Sequence, residues 1–323
     1  MNIQICAKPV TAEVSMNKVL GDCFQEFITD TSDIYIIDAD LGINRLLTED
    51  FIEQNPGRYI NAGIAEANMI GLACGMSANG KRPFVHTFGF LASKRALDQV
   101  YMSGAFNMQS VNIVAIFPGI LADVNGGTHM TFEDIAIMRT IPGMTVVEPA
   151  DMVQGKEMLR QAADLHGMVY LRWDRVGNQR FYEPGSQFEI GKAIQLREGN
   201  DATICAAGNL CLEQSIIAAD LLAEQGIEAR VLDMFSLKPL DTLTIHKAID
   251  DTGALITVEN HSVIGGLGAC VASTMSQYRY APIEMVGIQD EFGEVGTVKD
   301  LQVRYGLTAV NIVAAVKKAI MRK

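Results

Sequence analysis

Two successive series of short β-branched runs, separated by amphipathic or small-residue stretches of helical period, leave this chain few folds. In the first series the runs are DIYIIDAD at 33–40, PFVHTF at 83–88, VNIVAIF at 111–117, MTVVEP at 144–149 and MVYLRW at 168–173. The pattern restarts with ATICAAG at 202–208 and continues through ARVLDMF (229–235), ALITVEN (254–260) and IEMVGIQD (283–290), with helical stretches at 210–226 and 265–278. Strands alternating with helices build a parallel sheet covered on both faces. The expected fold class is α/β in two domains, each a mostly parallel sheet with helices on both sides. A polar stretch after Arg175, VGNQRFYEPGSQFEIGK, separates the series, which gives a first domain over 1–178, a linker over 179–195 and a second domain over 196–323. Thr308 is placed to cap a closing amphipathic helix that ends in basic residues, as the helix dipole favours.

Composition narrows the function. At 323 residues and 49% hydrophobic, the chain can bury two cores without staples. Its formal charge is 26 − 38 = −12 with no basic cluster, which excludes phosphate-driven nucleic-acid binding and attraction to anionic lipid. Apolar runs such as 111–117 fall far short of the roughly 20 residues that span a bilayer. The start, MNIQICAKPV, has neither the basic nor the apolar region of a secretory signal, so a cytoplasmic protein is expected. Six scattered cysteines without a CxxC read as buried free thiols. His86, His166, His246 and His261 have no ligand spacing, and no metal is expected on this chain alone.

Ligands bind beyond the carboxyl ends of strands in open parallel sheets, so the residues just after each strand are the candidates. Asp38 and Asp40 follow the first strand in DADLGIN. Glu66 sits in AGIAEANMIGLACGM, a helix of small apolar residues that would pack closely and leave a carboxyl little water. Such a carboxyl can stay protonated or share a proton with a ring nitrogen, although a solvent-facing Glu on the same helix is the plainer alternative. His129 follows Gly126-Gly127, where backbone could approach a ligand closely and an imidazole could move protons. An ordinary loop histidine is equally compatible.

In this order, DADL (38–41), NAGIAEANMIGLACGMSANGKRPFVHTF (61–88), RALDQV (95–100), GGTHMTFEDIAIMRTIPGMTVVEPAD (126–151), TVENHSVIGGLG (257–268) and GIQDEFGEVG (287–296) resemble the C-terminal half of transketolase, from about residue 11 to 320. The resemblance implies a pyrimidine-binding domain followed by the family's C-terminal domain. It also implies ketol transfer from a ketose to an aldose with thiamine diphosphate. Glu66 then matches the carboxyl that bonds the aminopyrimidine, Asp40 and Leu41 line the cofactor, and Phe88 belongs to its aromatic wall. Leu91 stands where a stacking ring is usual. His129 matches the histidine that contacts the donor sugar. The family's GDG motif and following Asn, which hold the diphosphate and a Mg2+ or Ca2+ ion, are absent, so an N-terminal partner subunit is expected to supply them. Because Met1 lies just before the first matched segment, the chain reads as the second gene of a split transketolase, in an α2β2 heterotetramer.

The sugar site departs from the family. Cationic or polar groups that grip the acceptor's phosphate fall at Glu13, Asn44 and Phe117, and the acidic residue that reads its 2-hydroxyl falls at Asn125. A carboxylate or a phenyl ring cannot hold a phosphate that carries nearly two charges. Asn125, His129, Arg172 and Arg175 are the expected sugar contacts, the two arginines as grips for a terminal anion. The sugar is expected to be non-standard: unphosphorylated, sulfonated or branched. The alternatives are the β subunit of a 2-oxoacid dehydrogenase decarboxylase, disfavoured by the GGTHMTFED segment, and a non-catalytic partner module, disfavoured by the presence of Glu66 and His129. His261 is expected to be structural.

Overall fold

The structure is a computed structural model that describes residues 2–41, 46–175 and 177–323. Its strands, in chain order, are β1 (Ile5–Thr11), β2 (Ile34–Asp38), β3 (Tyr59–Asn61), β4 (Arg82–Phe88), β5 (Asn112–Ile116), β6 (Thr145–Val147), β7 (Val169–Trp173), β8 (Gln179–Tyr182), β9 (Ile194–Arg197), β10 (Ala202–Ala206), β11 (Ala229–Asp233), β12 (Ser236–Lys238), β13 (Leu255–Ser262) and β14 (Ile283–Ile288). One sheet has the order β12-β6-β7-β5-β4-β2-β3, and the second β14-β13-β10-β11-β9. Each is parallel except for one antiparallel edge strand, β12 in the first and β9 in the second. The α/β class expected from the sequence is the fold observed.

Both faces of the first sheet are buried, which explains its near-continuous apolar strands. Ile34, Ile36, Phe84 and Val114 pack in one core with the helix Met16–Asp30, whereas Ile37, Val85, Ile113 and Ala115 pack in another with the helix Glu66–Ala78. Ser15 starts the first helix by accepting from Lys18 N at 3.2 Å, and Thr308 caps the closing helix Ala309–Ile320 through Asn311 N. All six cysteines are buried and free, and burial pushes the thiols of Cys23, Cys205 and Cys270 up to about 12.

The division between the halves is less simple than the composition suggests. Gln179–Tyr182, inside the polar stretch, is strand β8 and pairs antiparallel with β1. Strand β12, from the C-terminal half, completes the edge of the first sheet beside β6. Tertiary pairing overrides a Gly- and Pro-containing composition here because an edge strand needs only one partner.

The two halves are joined by a buried polar seam at the carboxyl end of β13. Asn260 accepts from Ile120 N at 2.9 Å and donates to Pro118 O at 3.0 Å. The approach is so close that a Cβ on Gly119, already at φ +52, would collide with Asn260. Arg172, fully buried, donates to Asp134 at 2.9 Å, Glu148 at 2.8 Å and the Asn260 carbonyl at 2.8 Å. This corrects the expectation for Arg172: it faces the seam and offers nothing to a sugar, because its donors are committed to two carboxylates and the other half's backbone. Asp134 is fully buried, which opposes ionisation, yet the Arg172 guanidinium beside it holds its carboxyl below the usual range. His261 is buried and pushed down to about 4, hence neutral, with Nδ1 2.6 Å from Ser262 O and Nε2 accepting from Ala136 N. Its role is structural.

Two outcomes follow for stability. Arg172→Met strands two buried carboxylates, so urea unfolding should show a loss of about 3–5 kcal/mol, and a loss under about 1 kcal/mol would contradict the seam's importance. Asp233 is raised from 3.8 to about 7, chiefly by burial, while Tyr182 Oη and Gln154 Nε2 donate to it at 2.5 Å and 2.9 Å. Its folded pKa lies above the unfolded one, so its stabilising contribution is full below pH 3.8 and is lost as pH rises through about 7. Asp233→Asn keeps the accepting oxygen without the charge. Its Tm should gain on the wild type as pH rises across that window, and a constant difference would refute the assignment.

Candidate active site

The carboxyl ends of β2, β4 and β5 open into a cleft. The helix Glu66–Ala78 buries Glu66, Met69, Ile70, Ala73 and Cys74 at helical spacing, which turns Glu66 inward at 1% exposure. The solvent-facing alternative does not hold. Glu66 Oε2 accepts from Arg95 Nη1 at 2.8 Å, whereas Oε1 is buried without a partner. An unpartnered carboxylate oxygen is costly to bury, so its persistence at a cleft wall marks a place for a donor.

Around it lies a cavity of about 480 Å³ lined by Asp40, Leu41, Glu66, Phe88, Leu91, Arg95 and His129, together with Ala39, Ile64, Phe90 and Thr128. Three local features aim these groups. Asp40 turns the chain at φ 61, and its carboxylate accepts from Asn61 Nδ2 at 2.8 Å. The π-helical turn Leu91–Arg95 closes with Ala96 N donating to Leu91 O at 3.1 Å, and it directs both of its ends to the cleft. Phe88, the last residue of β4, sits edge-on to His129 with centroids 5.1 Å apart, and Thr128 Oγ1 lies 3.0 Å from His129 Nδ1.

Beyond Phe88 the cleft continues as a second cavity of about 210 Å³, lined by Asn17, Leu41, Leu46, His86, Phe88, Ile116, Phe117, Asn125 and Arg175. Phe117, at φ 58, stacks on Phe88 with centroids 5.0 Å apart. The Arg175 guanidinium lies over the Phe117 ring at 4.6 Å, a cation–π arrangement that sets a positive charge in the cavity wall. Asn125 donates to Ala122 O at 2.8 Å.

The structure therefore brings Asp40, Leu41, Glu66, Phe88, Leu91 and His129 to one cavity, and Phe117, Asn125 and Arg175 to its neighbour. Arg172 belongs to neither. Glu13 is exposed and lines neither cavity, and Asn44 lies outside the described residues. The glycine pair before His129 serves packing between halves: a Cβ on Gly127 would strike the Gly293 carbonyl, and one on Gly126 would meet Val295. Sequence reasoning missed Arg95 and His86. Arg95 had a usable signal, since a buried carboxyl needs a cation or donor. Among the described residues no cluster of three or more His, Cys, Asp or Glu could hold a metal, and no helix is long and apolar enough to cross a membrane.

Comparison with known proteins agrees with this architecture. The transketolase pyrimidine-binding domain family matches residues 12–177, and the transketolase C-terminal domain family matches 191–312. The chain is 43% identical over 302 residues to the 6-deoxy-6-sulfo-D-fructose transketolase subunit SqwH of Clostridium sp. (strain MSTE9), covering 94% of this chain and 93% of that one. It is 35% identical over 295 residues to an apulose-4-phosphate transketolase subunit from Phocaeicola vulgatus, covering 91% and 94%. A solved structure described as a split gene transketolase, inactive beta4 tetramer, superposes with a TM-score of 0.87 at 38% identity over 96% of this chain and 99% of that one. The chain belongs to the transketolase family and carries the pyrimidine-binding and C-terminal domains of a split-gene enzyme.

Proposed function

We propose that this chain, the C-terminal subunit of a split transketolase, works with an N-terminal partner subunit and that its Glu66 holds the pyrimidine ring of thiamine diphosphate. The observation that carries the reading is the unpartnered Glu66 Oε1 on the wall of a cavity shared with Asp40, Phe88, Leu91 and His129. These residues fit the group: a carboxylate oxygen wants a ring N–H, and Phe88 and Leu91 offer apolar faces to a flat ring. Bound there, thiamine diphosphate supplies the electron sink for breaking the carbon–carbon bond beside a ketose carbonyl. Glu66 would hold the proton on the pyrimidine nitrogen, with Arg95 fixing its other oxygen. His129 would bond sugar oxygens from the opposite wall. We place the pyrimidine-binding domain over 1–178 and the C-terminal domain over 196–323, with the connecting segment 179–195 carrying β8 and the first residues of β9.

An N-terminal partner subunit would hold the diphosphate and its divalent Mg2+ or Ca2+ ion, a reading supported by SqwH, 43% identical, which is itself described as a transketolase subunit. Ile64, which lines the Glu66 cavity and is 73% exposed, supports a covering chain. We place the assembly, two copies of each subunit, in the cytoplasm, where six free buried thiols are at home.

For the sugar we propose a non-standard, singly charged tail of the sulfonate class. Arg175 is the one cation among the described residues lining the second cavity. The reading is supported by the relative SqwH, 43% identical over 94% of this chain, which is described as a 6-deoxy-6-sulfo-D-fructose transketolase subunit.

Two measurements test these readings. In the complex with its partner, Glu66→Ala should remove ketol transfer while circular dichroism shows an unchanged fold, and substantial residual turnover would sink the assignment. The wild-type complex should prefer 6-deoxy-6-sulfo-D-fructose to fructose 6-phosphate, and Arg175→Met should lower kcat/KM for the anionic sugar by roughly 10- to 100-fold. A strong preference for the phosphate would end the sulfonate reading.

A further inference from the structure

The second cavity contains two buried polar atoms that no described residue satisfies. His86 projects from β4 on the same face as Phe84 and Phe88, beside Asp38, its register partner on β2. Its ring is 4% exposed, with Nδ1 3.3 Å from Asp38 Oδ1, while Nε2 is buried and unpartnered. Asp38 is itself fully buried and accepts from Leu41 N at 3.2 Å. A carboxylate accepts only, so the proton of a neutral imidazole belongs on Nδ1, and Nε2 presents a lone pair. Across the same cavity stands Asn17, whose backbone N–H donates to Arg175 O at 3.1 Å and whose Oδ1 is likewise buried without a partner.

Two orphaned acceptors in one cavity call for a ligand that donates. An anion cannot meet that need, because its oxygens would face the two lone pairs. Hydroxyl groups can, since each carries one proton to give. Arg175 lines the same cavity, with its guanidinium over the Phe117 ring.

We propose that His86 and Asn17 are a hydroxyl-reading pair, with Asp38 as the positioning residue that fixes the imidazole, so that the sugar carries free hydroxyls between its reacting carbon and its anionic end. The inference rests on the ketol-transferase reading and deepens it: it states which part of the sugar chain the second cavity reads. Each acceptor selects by what it leaves unpaired when the hydroxyl is missing, which is the stronger form of discrimination.

The test is steady-state kinetics of the complex with its partner, using the aldose that the wild type accepts best and the set of its monodeoxy analogues. In the wild type, at least one deoxy analogue should show a KM raised about tenfold over its parent. In His86→Leu that ratio should collapse toward one, because the parent loses its bond and the analogue has none to lose. His86→Gln, which can return an acceptor near Nε2, should restore part of it. Asn17→Ala should collapse the ratio for a different analogue, and it keeps the test open if the His86 variants fail to fold. A merely structural role would raise KM for parent and analogues alike, and an unchanged ratio in both His86→Leu and Asn17→Ala overturns the proposal, leaving a water site only. A wild-type complex that transfers no ketol group to any aldose overturns the underlying reading and the proposal with it.

Discussion

Arg172 has no contact with water, and its guanidinium is held by Asp134, Glu148 and the backbone of Asn260. The first two partners lie on the pyrimidine-binding side and the third on β13 of the other half. A buried charge of this kind is tolerated only when fully partnered, so the residues around it must stand where they do. Gly119 gives way to Asn260, Ala136 N finds His261, and the segment between Pro118 and Thr131 is pinned from both ends. His129 and Asn125 ride on that segment. The seam thus fixes one wall of the cleft, and the strand ends of the first sheet fix the other.

The cleft divides its chemistry along this frame. Near Glu66 it offers one unpartnered carboxylate oxygen, apolar walls and an imidazole. Past the Phe88–Phe117 stack it offers acceptors and, among the described residues, the Arg175 cation. The two regions suit different parts of a reaction, a flat ring in one and a polyhydroxyl chain in the other.

Several features were legible in the chain itself. Glu66 stood out because a carboxyl among Gly, Ala, Met and Ile is anomalous on a closely packing helix, and the stripe Glu66, Met69, Ile70, Ala73 follows helical period. His129 and Phe88 were placed by a long ordered resemblance. Arg172 and Arg175, three residues apart in LRWDR, looked alike in sequence. Their fates differ because β7 ends at Trp173: Arg172 is within the strand and points into the seam, while Arg175 lies past the strand end at the cavity. The glycine pair before His129 was read as room for a ligand, but the space is taken by the backbone of Gly293.

Fold class and the order of the two sheets along the chain could be read from the residues alone, because strand and helix periods are local and survive without knowledge of partners, whereas the family was legible only through the resemblance of its ordered motifs. The carboxyl ends of the strands, where chemistry in such folds resides, could be located in the same way. Which charged groups are spent on the fold and which face the cleft was settled by packing in three dimensions. His86 meets Asp38 across 48 residues of chain solely through the parallel register of β2 and β4, and its unpartnered nitrogen exists only once Asp38 has taken the other. Such pairings are set by which strands become neighbours, a long-range choice that no local pattern of residues encodes.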